Sequence, residues 1–362
     1  MLDGIYLKKL LSKLLLPIST QYLTLPVKGV NSKITYKEQL IDNFLLYKLM
    51  KTVLLTLVSA LLLLSGCTNN SQDNNSTNEL KVLSWNVWHG GHSKAYPQKG
   101  CEGTLGILKK SDADIIMMIE TYGCSDQVAD HLGYYHRLLS SNLSIYSRYP
   151  IVKTYTFPDS ISTFNFGGVE LDVNGKRLRV FDTWLHYLPD ATVVPTEKSA
   201  DEIIAWENEG TRDDELKRIL SVLKPFMAEA DSIPLIMGGD FNCHSHLDWT
   251  EATKEQYNHN GKVIDWGISK MMLANNFKDS FREVHPNPET SQQELGATWY
   301  WDPEGKQKRF DRIDFIYYQG SRLKAILSES YNHSHGKDME FKGEKFFYPS
   351  DHGFVLTTFS FE

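Results

Sequence analysis

Short apolar runs that stop at a single polar residue recur along the chain. Leu80-Lys81-Val82-Leu83-Ser84-Trp85 stops at Asn86, and the wholly apolar run 115–119 stops at Glu120. The run 143–146 closes at Ser147-Arg148-Tyr149-Pro150, and Pro234-Leu235-Ile236-Met237 runs into Gly238-Gly239-Asp240-Phe241-Asn242. Over 177–185 the pattern alternates, with Leu178, Val180, Phe181 and Trp184 apolar, and delivers His186. Runs of this length and composition predict strands, and two more follow over 313–318 and 354–359. Leu216, Ile219, Leu220, Leu223 and Phe226 recur at helical spacing, which predicts an amphipathic helix over 213–229. A short helix is expected over 102–110 and another over 263–275. Strands outnumber helices, so the pattern predicts an α+β design: two packed sheets, helices on the outer faces, and loops at the strand ends carrying the site.

The N-terminal part reads differently. Met50-Lys51 precedes about a dozen mostly apolar residues and then Leu64-Ser65-Gly66-Cys67, a basic start, apolar stretch and small-residue ending of the secretory type. The run is shorter than the ~20 residues of a spanning helix. Ser65-Gly66-Cys67 after a leucine resembles the bacterial lipobox, which implies a lipid on Cys67 and a protein anchored to a bacterial membrane on its extracytoplasmic side. Signal peptides begin at the initiator methionine, so residues 1–49 are expected to be a non-native upstream extension and 50–67 the signal peptide. Residues 68–78 lack apolar side chains and read as a flexible linker. That leaves 79–362 as a single catalytic domain.

Charge sharpens this division. The chain of 362 residues carries 38 Lys+Arg against 45 Asp+Glu, a net −7, and residues 1–67 hold eight of the lysines but only three of the acids. The remainder, with 30 basic and 42 acidic residues, is near −12. Tight unaided binding to duplex DNA needs clustered cations, so nucleic acid is a disfavoured partner. Four cysteines are too few for a disulfide scaffold. Cys101 and Cys124, both extracytoplasmic on this reading, could pair around Glu120; Cys243 reads as a buried free thiol.

In order along the chain, SWN (84–86), IET (119–121), WLH (184–186), GDFN (239–242), RIDFI (312–316) and SDH (350–352) resemble the endonuclease/exonuclease/phosphatase superfamily, whose fold is that of DNase I. The resemblance spans essentially all of 80–362. It implies a four-layer α/β/β/α sandwich of two packed, mostly antiparallel sheets and a divalent-metal-dependent phosphoesterase, expected to be a monomer. Mg2+ is the expected ion, with Mn2+ or Ca2+ as alternatives; Glu120 binds it, with Asn86 nearby and Asp351 a further or water-mediated ligand. His352 corresponds to the distal catalytic histidine, and Asp314 to the carboxylate that accepts its hydrogen bond. Asp240 and Asn242, one residue apart on an extended segment, can face the phosphorus together. Whether Asp240 or the Asp314–His352 pair takes the proton from water stays open. His186 matches a position that contacts phosphate or protonates the leaving group.

Departures from the family pattern bear on substrate. Trp88 stands where some nucleases carry an extra acidic ligand, and Arg309 to Asp314 lacks the Trp-rich segment of inositol-polyphosphate phosphatases. Trp88-His89-Gly90-Gly91, Ser245-His246-Leu247-Asp248-Trp249 and Thr298-Trp299 resemble a secreted bacterial branch. His89 is a candidate phosphate contact, His246 and Asp248 are candidates for the pocket rim, and Trp299 is a further candidate substrate contact. His333 and His335 read as solvated. The aromatic stretch 155–166 could be a lipid-touching hairpin, as in secreted sphingomyelinases of this fold, or could fill a core. The expected substrate is a small or lipid-derived phosphodiester. A nuclease of the same fold and a non-catalytic surface binding lipoprotein are the alternatives.

Overall fold

A computed structural model describes residues 78–93, 95–190, 193–299 and 310–362. The signal-like segment 50–67 with Cys67, everything upstream of it and the linker as far as residue 77 lie outside the described residues. The apolar runs become central strands because each is covered on both faces. In one six-stranded sheet the order is β11 (Leu323–Tyr331), β14 (Phe354–Phe361), β1 (Glu79–Asn86), β2 (Ile115–Ile119), β4 (Leu143–Ser147) and β3 (Tyr135–Leu138). The second runs β5 (Ile151–Thr154), β6 (Phe166–Val173), β7 (Lys176–Trp184), β8 (Leu235–Asp240), β10 (Asp314–Gln319) and β9 (Lys278–Asp279). A hairpin of β12 (Asp338–Phe341) and β13 (Glu344–Phe347) stands apart from both.

Alternation along each strand sorts the side chains into layers. Val82, Met117, Val180, Ile236 and Ile316 share the core between the sheets. On the outer face of the second sheet, Phe181 and Met237 pack with Leu216, Ile219, Leu220 and Leu223 of the helix Arg212–Ala228. On the outer face of the first, Leu83, Trp85 and Ile116 pack with Ile107 and Leu108 of α1 (Pro97–Ser111). This is the four-layer sandwich that the sequence implied. The helix expected over 102–110 starts earlier, with Pro97 in its first turn, where a missing N–H costs nothing. The helix expected over 263–275 is confined to Gly267–Ala274. Among the described residues no helix is long and apolar enough to cross a membrane.

Register brings the strand ends together. β1 runs parallel to β2, pairing Asn86 with Ile119, and antiparallel to β14, pairing Trp85 with Phe354. Asn86 therefore lies beside both Glu120 and the segment before β14. In the other sheet β8 and β10 are antiparallel and set Asp240 directly opposite Asp314. Gly239 makes the β8 end feasible: its φ is +143°, and a Cβ there would sit 2.0 Å from the Thr183 carbonyl oxygen.

The aromatic stretch 155–166 forms no hairpin, and apart from Phe164 its rings pack into or against a core. Tyr155, Ile161 and Phe166 are buried, and Tyr155 and Phe166 stack on Phe181. A carboxylate intrudes between the sheets. Asp182, on β7, is fully buried; the Thr183 amide helps it only weakly, neither oxygen reaches a hydrogen bond of normal geometry, and burial pushes its acid well above the usual range.

Candidate active site

Five of the six polar strand ends, those carrying Asn86, Glu120, Asp240, Asp314 and His352, converge by direct contact. Asp314 is wholly buried, and its Oδ2 and Oδ1 lie 3.0 and 3.2 Å from His352 Nδ1. The other ring nitrogen, Nε2, points toward Asp240 Oδ2 at 3.8 Å. Asp240 Oδ2 accepts from Asn86 Nδ2 at 3.1 Å and from Asn242 Nδ2 at 3.0 Å, and Asp240 Oδ1 accepts the Asn242 backbone N–H at 2.9 Å. Asn86 Nδ2 also reaches Glu120 Oε1 at 3.2 Å, so one amide ties the two sheets' acids together.

Local folding explains these placements. Glu120 follows β2 at φ 59°, in the left-handed region, where the Asn142 side chain accepts its N–H. Asn242 is also left-handed, at φ 50°. It therefore does not share an extended segment with Asp240; the chain turns, and Asp240 caps that turn with its own carboxylate. His352 is fixed through its backbone: its carbonyl accepts from Tyr348 Oη and Trp85 Nε1, and its N–H donates to Ser350 Oγ. Trp299 bridges Asp311 and His352 as a single-residue strand, and its ring lies edge-on to the imidazole, centroids 4.4 Å apart.

Electrostatics separate the acids. Burial pushes Asp240 up to about 7; the His352 imidazole pulls it down and nearby Asp314 pushes it further up. On His352 burial works against charge, but the carboxylates of Asp314 and Asp240 overcome it and raise the imidazole to about 10. Asp351 is pushed up to about 6, chiefly by burial and also by Glu120.

These features give a test of metal fit. Asp240, Asp314 and His352 have ligand atoms within 4.8 Å of one another, yet they are already tied together, the imidazole to Asp314. Asp351 offers a buried Oδ1 with no hydrogen-bond partner, and its charge is felt beside Glu120. A buried oxygen without a partner, near a second carboxylate whose donors Asn86 and the His89 N–H are neutral, is what a divalent cation of the magnesium type needs. The Glu120–Asp351 side of the site fits such an ion better than the Asp–Asp–His group.

A cleft of about 650 Å³ opens over these residues, lined by Glu120, Asp240, Asn242, Asp351 and His352. His89 lines it too and donates its backbone N–H to Glu120 Oε2 at 3.2 Å. Trp299 lines it as well, whereas His186, His246 and Asp248 are placed elsewhere. His186 is outside the lining: its Nδ1 accepts the Leu188 N–H and its ring stacks on Tyr187. His246 is turned to Ser269 Oγ at 2.7 Å. Asp248 is not at the rim; it is buried between Arg312 and Arg282, with contacts of 2.9 Å from Arg312 Nε and 2.6 Å from Arg282 Nη2. His335 is not solvated but packs edge-on against Trp88. Cys101, Cys124 and Cys243 are all free thiols, so the pairing around Glu120 is absent. The cleft also holds residues that the sequence reading missed, Tyr122, Phe164 and Tyr187. Their only signal was proximity, Tyr122 two residues after Glu120 and Tyr187 next to His186.

The profile of the Endonuclease/Exonuclease/phosphatase family matches residues 83–352. An uncharacterised Caenorhabditis elegans protein, F14F9.5, is 26% identical over 328 residues, 85% of this chain and all of its own length. Among solved structures, TDP2 from C. elegans superposes with a TM-score of 0.51 at 16% identity, covering 95% of this chain and 99% of its own. TDP2 from D. rerio complexed with a single-strand DNA product gives 0.50 at 15% identity, covering 78% and 98%.

Proposed function

Since the chain belongs to the endonuclease/exonuclease/phosphatase family, whose members are phosphoesterase hydrolases, we propose that it hydrolyses a small phosphodiester by in-line attack of water. The observation that supports this most is the imidazole of His352, propped by Asp314 on one nitrogen and facing Asp240 with the other, in the same cleft as Glu120 and Asp351. Glu120 and Asp351 would hold Mg2+. When bound, that ion supplies charge neutralisation at a phosphoryl oxygen. His352, raised to about 10, keeps its proton at neutral pH and donates from Nε2 to a phosphoryl oxygen, while Asp314 fixes the ring. Asp240 is then the group placed to take the proton from water, with Asn86 and Asn242 holding its carboxylate in line.

The described lining of the cleft contains no lysine or arginine, which favours a substrate with one phosphate over a polymer with many. The nuclease reading draws instead on the DNA complex of the fish relative and on Lys306, Lys308 and Arg309, which follow Trp299 in the sequence. A panel of bis-p-nitrophenyl phosphate, p-nitrophenylphosphorylcholine, inositol phosphates and single-stranded DNA, each with Mg2+ and with EDTA, tests both. Mg2+-dependent turnover of a small diester with a weak salt dependence is expected. Turnover confined to DNA, with affinity falling steeply as salt rises, transfers the assignment to the nuclease. We also propose that the enzyme works outside the cytoplasm, tethered through lipid on Cys67; a mature chain that begins upstream of Cys67, by mass spectrometry, refutes the tether.

A further inference from the structure

We propose that the cleft binds one flat, uncharged ring carried by the ester, on an arc of six aromatic side chains; this rests on the phosphoesterase reading above. Trp88, His89 and Tyr122 come from the turns after β1 and β2, and Phe164, Trp184 and Tyr187 from the start of β6 and the end of β7. Along the first half, ring centroids are 5.1 Å apart for Trp88–His89 and 6.0 Å for His89–Tyr122. Along the second, they are 5.8 Å for Phe164–Trp184 and 6.2 Å for Trp184–Tyr187. The turn at 141–142 joins the halves: the Tyr122 N–H donates to the Ser141 carbonyl and Asn142 Nδ2 donates to the Phe164 carbonyl, each at 2.9 Å.

Three observations turn this arc into a ligand surface. Tyr122, Phe164 and Tyr187 are 41%, 36% and 51% exposed, large rings left open to water at the mouth of a cleft. Their neighbours set the ring planes in advance, because His335 packs edge-on against Trp88 at 4.8 Å and His186 stacks on Tyr187 at 4.9 Å. Ordering the rings on binding therefore costs little. Charge selects the ligand: the acids of the lining are Glu120 and Asp351, which would hold the ion, Asp240, which would take the water proton, and Asp190, which is engaged in an interaction of its own. The organic part of the substrate thus meets neutral π-faces, on which nucleobases and arenes stack alike.

The test holds the leaving group constant. The trifluoroethyl diesters of methyl, phenyl, thymidine 5′- and choline phosphate, whose leaving group carries no ring, are compared with Mg2+, and metal-free protein is dialysed against labelled thymidine. KM for the phenyl and thymidine esters should lie about tenfold or more below that of the methyl ester. Tyr122→Ala combined with Trp184→Ala should raise KM for the ring-bearing esters about tenfold, with a smaller change in kcat, and abolish saturable thymidine uptake. Equal KM for all four esters overturns the proposal, as does a lowest KM for the choline ester, which would make the arc a cation cage. If no ester is cleaved yet thymidine binds saturably, the ring site stands and the hydrolase reading falls.

Discussion

Two groups of buried acids flank the start of β10, and they are wired in opposite ways. On one side Asp248 and Asp279 are matched to guanidiniums: Arg312 donates to both, with Nε 2.9 Å from Asp248 and Nη2 2.8 Å from Asp279, and Arg282 adds a further contact to Asp248. Burial would raise Asp248, but Arg312 and Arg282 hold it below the ordinary carboxylate range. On the other side, two residues along the chain from Arg312, Asp314 faces Asp240 across the strand pair without a cation other than His352, and Asp240 rises to about 7. Residue type and burial are alike; compensation differs. A closed network stabilises a loop, whereas an under-compensated one keeps reactivity available, and strongly shifted acids in a cleft mark function for that reason.

The contrast makes graded predictions. Asp248→Ala leaves buried Arg282 without its acid and Arg312 with Asp279 alone, and should destabilise the fold by about 3–5 kcal/mol in urea denaturation. Asp240→Asn should leave stability level or raise it, since it removes a charge whose burial, together with the repulsion of Asp314, outweighs the pull of His352. Equal losses from both variants would erase the distinction. Next in size, His352→Ala and Glu120→Ala should each cut turnover at least ~10²-fold with unfolding midpoints little changed. Asp314→Asn should cost roughly tenfold, because the imidazole remains but is poorly oriented; a loss equal to that of His352→Ala would make Asp314 more than a prop.

The smallest effect concerns Asp182, a lone buried acid with no Arg at all. Its acid is raised on folding, so the folded state holds a proton that the unfolded chain has released, and stability falls as pH climbs above the ordinary Asp value of about 3.9. Asp182→Asn should flatten that decline and stabilise the fold near pH 7, read from denaturation at pH 5 and pH 8. An unchanged slope would mean that Asp182 is compensated after all.

How much of this was legible in advance followed physical lines. β1, β2, β8, β10 and β14 were readable because central strands need unbroken apolar runs; the first three run into their functional residue, whereas β10 starts at Asp314 and β14 just after His352. β3, mostly exposed, and β6, which opens with Phe166-Gly167-Gly168, lack that pattern and were not predicted. Glu120, Asp240, Asp314 and His352 were legible as a set because their order along the chain is specific. Asp248 was misplaced because its partner Arg312 lies 64 residues away, a pairing that no local spacing reveals. The aromatic arc was hidden for the same reason: its rings come from separate loops, and only the turn at 141–142 brings them side by side.

The left-handed backbone at Glu120 and Asn242 has a consequence for laboratory evolution. Glycine relaxes in that conformation and glutamate does not. A library screened for heat survival alone would drift toward Gly at 120 and lose its chemistry while gaining robustness, so selection has to score turnover in every round.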